Sequence, residues 1–259
     1  LGEKPLVFAT AGEDFEDYRK WLESHNVDTR YTKVVPGKYS ASFFVNTDLE
    51  NNQIASFYTG AMADASSLSL KEMRPDEADY VVISPNDPLA MKKYVEECIE
   101  LGLPYLFDPS QQVARNPHED LPKGAQNAHA IFCNEYEFEL LQKHTELCAE
   151  DMEGCVSLLV VTLGEKGAIV KSAGKEYRIP VVPADHIADP TGVGDAFRGG
   201  FFRGYRLGLD LQTCGQMGAL AATYCLEKKG TQNHYYTRVE FVERYRKHFD
   251  DQGALDCLK

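Results

Sequence analysis

No stretch of this chain approaches the ~18–20 consecutive apolar residues that a membrane span requires, and no internal repeat, low-complexity tract or long linker interrupts it. The opening Leu1-Gly2-Glu3-Lys4-Pro5 offers neither a basic leader nor an apolar core, so no secretory signal is expected. It also lacks an initiating Met, and the chain is therefore expected to be processed, trimmed or the observed part of something longer. Positive charge is short: 27 Lys and Arg face 40 Asp and Glu, for a net charge of −13. That argues against nucleic acid and anionic membranes as partners. It leaves room for a nucleotide, because a local anion hole and a bound cation outweigh a distant negative field. The seven cysteines are odd in number and scattered, without a C-x-x-C pair. Free thiols in a reducing, cytoplasmic setting fit them better than a disulfide framework or a zinc site. His129 and Cys133 lie four apart, but in an apolar, strand-like run where such residues need not converge, so no metal site is expected there.

At 259 residues and 43% hydrophobic content, the chain is long enough for one large α/β domain with an appendage. Residues 5–9 read as a buried strand and 13–25 as a helix with Phe15, Tyr18, Trp21 and Leu22 on one stripe. Residues 27–35, 39–47 and 53–60 are rich in Thr, Val, Phe and Tyr, with turns at Pro36-Gly37 and Glu50-Asn51-Asn52. They predict an antiparallel meander. From residue 79 strands and helices alternate (79–84, 88–101, 104–107, 119–125, 128–133, 135–144, 157–162), the pattern of a mostly parallel sheet with helices on both faces. A hairpin is expected around Gly174-Lys175. Helices follow at 195–207, at 211–228 and from the capping box at Thr237-x-x-Glu240 to about residue 249. The expected organisation is a catalytic α/β domain of residues 1–26 and 61–259, with residues 27–60 as a β-rich lid. The alternative for that insert is an extra edge subsheet.

The most telling segment is Asp189-Pro190-Thr191-Gly192-Val193-Gly194-Asp195-Ala196-Phe197-Arg198. Gly192 and Gly194 are expected to adopt positive φ and let the backbone approach a ligand. The unpaired N–H groups of the following helix would then make an anion site of residues 192–195. A carboxylate beside a phosphate is repulsive, so Asp195 makes sense there as the acceptor of a proton from an attacking hydroxyl. Attraction between Asp195 and a helix N-terminus is the plainer alternative. Gly192-Val193-Gly194 lacks the third glycine of a dinucleotide fingerprint, and no G-x-x-x-x-G-K-[ST] loop occurs. Upstream, Thr162-Leu163-Gly164-Glu165-Lys166-Gly167 follows an apolar strand, and Asn134-x-x-Glu137 opens a helix. The first reads either as a turn against a nucleotide or as a tight strand-to-strand turn. The second reads, from its residues alone, as a capping box that starts a helix. Asp108 and Asn86 sit at turns on the same expected edge, and both read as turn formers.

Together these three motifs resemble those of the ribokinase/PfkB family of carbohydrate and nucleoside kinases, over about residues 5–250. The family's D-T-x-G-A-G-D signature matches Asp189–Asp195, its N-x-x-E matches Asn134–Glu137, and its T-L-G-x-x-G matches Thr162–Gly167. The resemblance implies a ribokinase-like α/β fold and ATP-dependent phosphorylation of a hydroxymethyl group on a nucleoside or furanose sugar. It implies Asp195 as base, Gly192, Val193 and Gly194 as anion hole, and Thr162, Gly164 and Gly167 beside ATP. Asn134 and Glu137 would organise Mg²⁺ through water, and a monovalent cation sits near the position of Asp189 in some members. Phe43 and Phe44, with Phe57 and Tyr58, are candidates to cover a base or a sugar, the alternative being that they simply pack a sheet face, and the same strands offer a face for a homodimer. Arg198 and Gly230-Thr231-Gln232 resemble bacterial and archaeal nucleoside kinases more than ribokinase. The family's leading strand with a substrate-contacting Asp, and its Gly-Gly-x-x-x-Asn segment, have no counterpart here. Three functions therefore stand side by side: a nucleoside kinase, a ribokinase- or fructokinase-type sugar kinase, and a non-catalytic nucleotide-binding regulatory domain.

Overall fold

The computed structural model describes residues 1–47, 53–74, 77–114 and 120–258. They form two compact units, Glu3–Pro104 and Tyr105–Lys259, the latter including Leu1–Gly2. The division falls at residue 104.

In the smaller unit, strand β1 (Ala9–Ala11) leads through helix α1 (Glu16–Ser24) to strand β2 (Thr32–Val34). The two strands pair in parallel. This corrects the expected meander. A crossover helix between two strands returns the chain in the same direction, so residues 27–35 belong to a βαβ unit. Pro5 has no N–H to donate, and the regular ladder starts only at Ala9. Before it, Leu6 makes a single parallel bridge to Asp28. The antiparallel part is one hairpin, β3 (Ser42–Thr47) with β4 (Gln53–Tyr58), in which Phe43 opposes Phe57 and Ser42 opposes Tyr58. The expected turn at Glu50–Asn52 lies outside the described residues. A 3₁₀ segment (Gly60–Ser67), strand β5 (Val81–Ile83) and helix α2 (Pro88–Leu101) complete the unit. Helix α2 starts on an Asp87 cap with Pro88 behind it and ends on Gly102 at φ 65°, the usual punctuation of a helix.

The larger unit holds strands β6 (Tyr105–Phe107), β7 (Ala130–Asn134), β8 (Leu158–Thr162), β9 (Ala168–Ser172) and β10 (Lys175–Ile179), adjacent in that order. The first three run parallel; β9 and β10 form the expected antiparallel hairpin on β8. Helices α3 (Leu121–Gln126), α4 (Glu135–Thr145) and α5 (Ala149–Cys155) connect the parallel strands. Successive strand residues point to opposite faces. Ala130, Phe132, Leu158 and Val160 enter the main core with Phe197, Phe201, Met217 and Leu220. Ile131, Cys133, Leu159 and Val161 are buried on the other face. Both faces are covered, as parallel strands require.

Helices α6 (Val193–Arg206), α7 (Leu211–Leu226) and α8 (Arg238–His248) follow. Close packing of α6 on α7 depends on missing side chains: a Cβ on Gly200 would lie 2.6 Å from the Met217 carbonyl oxygen, and one on Gly218 would lie 2.8 Å from that of Phe197. Sequence reasoning missed α5, a short acidic helix whose N-cap is a cysteine, Cys148, in place of the usual Ser, Thr, Asp or Asn.

Candidate active site

Three parallel strands end on one edge of the larger unit, where open α/β sheets bind ligands. Asn134 and Thr162 are paired neighbours at the ends of β7 and β8, and Asp108 directly follows β6. The turn opening α6 joins them. Gly192 is the N-cap at φ 85°, ψ 0°, and a Cβ there would press on Thr231 at 3.1 Å, so the position needs glycine twice over. The first-turn amides of α6 have no intrahelical acceptor; Val193 N–H reaches the Pro190 carbonyl over a long 3.4 Å, and among the described residues those of Gly194 and Asp195 are left for a ligand. Gly194 corrects an expectation. It lies inside α6 without positive φ, and a Cβ there would meet open space. Its smallness leaves approach room rather than enabling a turn.

Asp189 fastens this turn from behind. Its carboxylate accepts the Thr191 N–H at 2.9 Å and the Gly230 N–H at 2.9 Å. These bonds, Thr191's first, hold its carboxyl below the usual aspartate range. Asp195 projects from the first turn with 76% of its side chain exposed. The surrounding mass of protein, and then the negative charge of Glu137, nevertheless raise its carboxyl above the usual range. Arg198, one helical turn on, is ion-paired to Asp195 and acts in the opposite sense. The same guanidinium pairs with Asp108, whose side chain is 12% exposed. Burial lowers Arg198 to about 10, still far above neutral pH, so it is a cation.

Asn134 and Glu137 form a complete capping box: the Asn134 side chain accepts the Glu137 N–H at 2.8 Å, and Glu137 accepts the Asn134 N–H at 2.9 Å. Ser110 donates its hydroxyl to the other Glu137 oxygen at 2.9 Å. Ser110 itself adopts φ 42°, which is uncommon outside glycine. Among the described residues, no group of three or more His, Cys, Asp or Glu side chains forms a direct metal cage. A single carboxylate such as that of Glu137 suits Mg²⁺, which keeps most of its waters and leans on substrate phosphates.

The Thr162–Gly167 turn joins two antiparallel strands, through a 3₁₀ turn at Gly164–Lys166. Gly164, at φ 59°, has open space around it, whereas a Cβ on Gly167 would lie 2.0 Å from the Ile179 carbonyl oxygen. Gly167 is therefore required by β10, and Gly164 is the residue with room for a ligand. Away from this edge, the His129 ring meets the Tyr205 hydroxyl at 2.8 Å.

A pfkB family carbohydrate kinase model matches residues 1–238. The chain belongs to that family. It is 30% identical over 252 residues to a nucleoside kinase of Methanocaldococcus jannaschii, covering 96% of this chain and 82% of the relative. The nucleoside kinase of Burkholderia thailandensis in complex with inosine superposes with a TM-score of 0.92 at 31% identity, over 96% of this chain and 83% of that one. Its complex with ADP and inosine gives 0.90 over 96% and 78%. The α/β, ribokinase-like fold class is thus the observed one, and this family member is an ATP-dependent phosphotransferase with an alcohol group as acceptor.

The structure brings Asp195, the 192–194 turn, Asn134 and Glu137 together, with Thr162 beside Asn134. Phe43 and Phe44 are exposed at 55% and 60%; as neighbours in one strand they point to opposite faces of the hairpin. Sequence reasoning left out Asp108 and did not single out Ser110. The signal for Asp108 was its place just past a parallel strand, together with a cation three residues after Asp195. Nothing in the sequence announces that Ser110 reaches Glu137.

Proposed function

We propose that this chain transfers the γ-phosphoryl group of ATP to a hydroxymethyl group of a nucleoside, with Asp195 as general base. The observation carrying this is the accessible Asp195 carboxylate at the mouth of a turn whose helix amides face outward, within electrostatic reach of Glu137. An anion hole alone has no use for a carboxylate. An anion hole that receives an attacking alcohol does. Asp195 takes the hydroxyl proton as the oxygen attacks, and the amides of residues 192–195 stabilise charge on the transferring group. Asn134 and Glu137 orient the waters of Mg²⁺, which when bound neutralises phosphate charge. Thr162 and Gly164, with Gly167 shaping the turn, border the nucleotide. Asp189 keeps one lone pair on each oxygen beyond its two backbone bonds, enough for a monovalent cation to lean on.

The nucleoside assignment draws on the named relatives. In this reading residues 27–60 act as a lid, with Phe43 and Phe44 as the candidates to cover the acceptor and the same strands as the face for a homodimer. The free cysteines suit a cytoplasmic setting, and no helix among the described residues is long and apolar enough to cross a membrane. ADP release measured with adenosine, inosine, ribose and fructose tests the substrate class. Nucleosides are expected to turn over best. Turnover of ribose or fructose alone moves the assignment to a sugar kinase, and no turnover with any acceptor contradicts catalysis. Replacing 27–60 by a short Gly/Ser linker is expected to raise acceptor KM and the ratio of ATP hydrolysed to product formed. Unchanged values of both refute the lid.

A further inference from the structure

The guanidinium of Arg198 is held between two carboxylates, one at the mouth of the anion turn and one buried at the end of a strand. We propose that Arg198, anchored by Asp108, is a positioning residue that holds the Asp195 carboxylate as an aimed anion. The inference rests on the reading of Asp195 as base. Residues three apart on a helix share a face, so Arg198 reaches Asp195 without leaving α6. A long side chain so placed would ordinarily sample many rotamers. Asp108 removes that freedom, because it sits 12% exposed on the rigid end of β6 and engages the other terminal nitrogen of Arg198. Only a planar fork with several donors can serve both acids at once. The arrangement spans three elements: the end of β6 holds Asp108, Asp108 holds Arg198, and Arg198 holds Asp195.

The need for it lies in the other charges around Asp195. Glu137 on α4 acts on it as a like charge. Cys225 on α7 lies within electrostatic reach of Asp195 and of Asp189, which Lys229 partly offsets. Arg198 is the cation that pairs directly with Asp195. A general base must be ionised to accept a proton, and the paired guanidinium of Arg198 favours the charged form of this one.

The test uses the full chain, following kcat against pH and ATP affinity by calorimetry, for Arg198→Gln, Arg198→Lys and Asp108→Asn, with Asp195→Asn as reference. Arg198→Gln is expected to lower kcat roughly tenfold or more, within the range assigned to general-base catalysis. It should move the acid limb of the profile upward by about one to three pH units, the size of one neighbouring opposite charge, with ATP affinity unchanged. Arg198→Lys should recover part of both. Asp108→Asn should shift the limb in the same direction by less. Wild-type kcat and acid limb in Arg198→Gln overturn the proposal, as does an equal loss of kcat and ATP affinity with the limb unmoved. If Arg198→Gln does not fold, the limb in the other two variants decides: displaced supports it, unmoved overturns it. Full activity in Asp195→Asn would instead remove the base assignment itself.

Discussion

Helices α4 and α8 open on the same device. Each begins with a polar N-cap whose side chain accepts the N–H of a glutamate three residues on, and that glutamate accepts the cap's own N–H in return. Around α8, Thr237 also donates its hydroxyl to the Glu240 carboxylate at 2.7 Å, so the glutamate turns back on its own helix. Around α4, the second oxygen of Glu137 is taken by Ser110 from another loop, and its charge is felt by Asp195. The two boxes are alike in sequence and in local geometry, and what differs is what lies across from the carboxylate. A capping box therefore identifies a helix start. The strand edge it sits on decides whether it is also part of a site.

The comparison breaks most sharply at the glutamates. Glu137→Gln is expected to lower kcat by about tenfold or more, on the scale of losing a positioned electrostatic group, and to raise the Mg²⁺ concentration needed for half-maximal rate. Glu240→Gln should leave both near wild type, and equal losses in steady-state assays would erase the distinction. Next in size, Ser110→Ala should weaken kcat and Mg²⁺ dependence only a few-fold, an effect of about 1 kcal/mol for one hydrogen bond. The caps should then behave alike, Asn134→Ala and Thr237→Ala each costing about 1 kcal/mol in denaturant unfolding, with kcat reduced only in the first. The smallest effect is in pH. The Thr237 N–H, followed by its hydroxyl, holds the Glu240 carboxyl below its ordinary 4.5. Its stabilisation is complete above that value and fades as pH falls through the lowered one. The Tm gap between wild type and Thr237→Ala should therefore narrow as the pH falls below the ordinary 4.5; a gap that widens contradicts the sign.

Much of this was legible in the residues. The βαβ alternation after residue 79 announced the parallel strands, and Asp189–Asp195, Asn134–Glu137 and Thr162–Gly167 announced three loops of one edge. What escaped has physical reasons. Residues 27–35 carry a strand composition that says nothing of direction, and only the helix before them sets it. Two glycines in one motif look equivalent, yet Gly192 alone has positive φ and Gly194 is helical. Gly167 is explained by the Ile179 carbonyl of a neighbouring strand, a contact no local spacing reveals. Asp108 reads as a turn residue because Asp-Pro makes turns, and its partner Arg198 lies 90 positions away in the sequence.

The most direct measurement of the central claim is single-turnover phosphorylation of a nucleoside by Asp195→Asn, with ATP binding measured on the same protein. The amide keeps the shape of the carboxylate and cannot accept the proton. The account predicts a loss of about 10²–10⁴-fold in phosphoryl transfer with ATP affinity close to wild type. A variant that retains more than about a tenth of the wild-type rate, far short of what removing a general base costs, would contradict it.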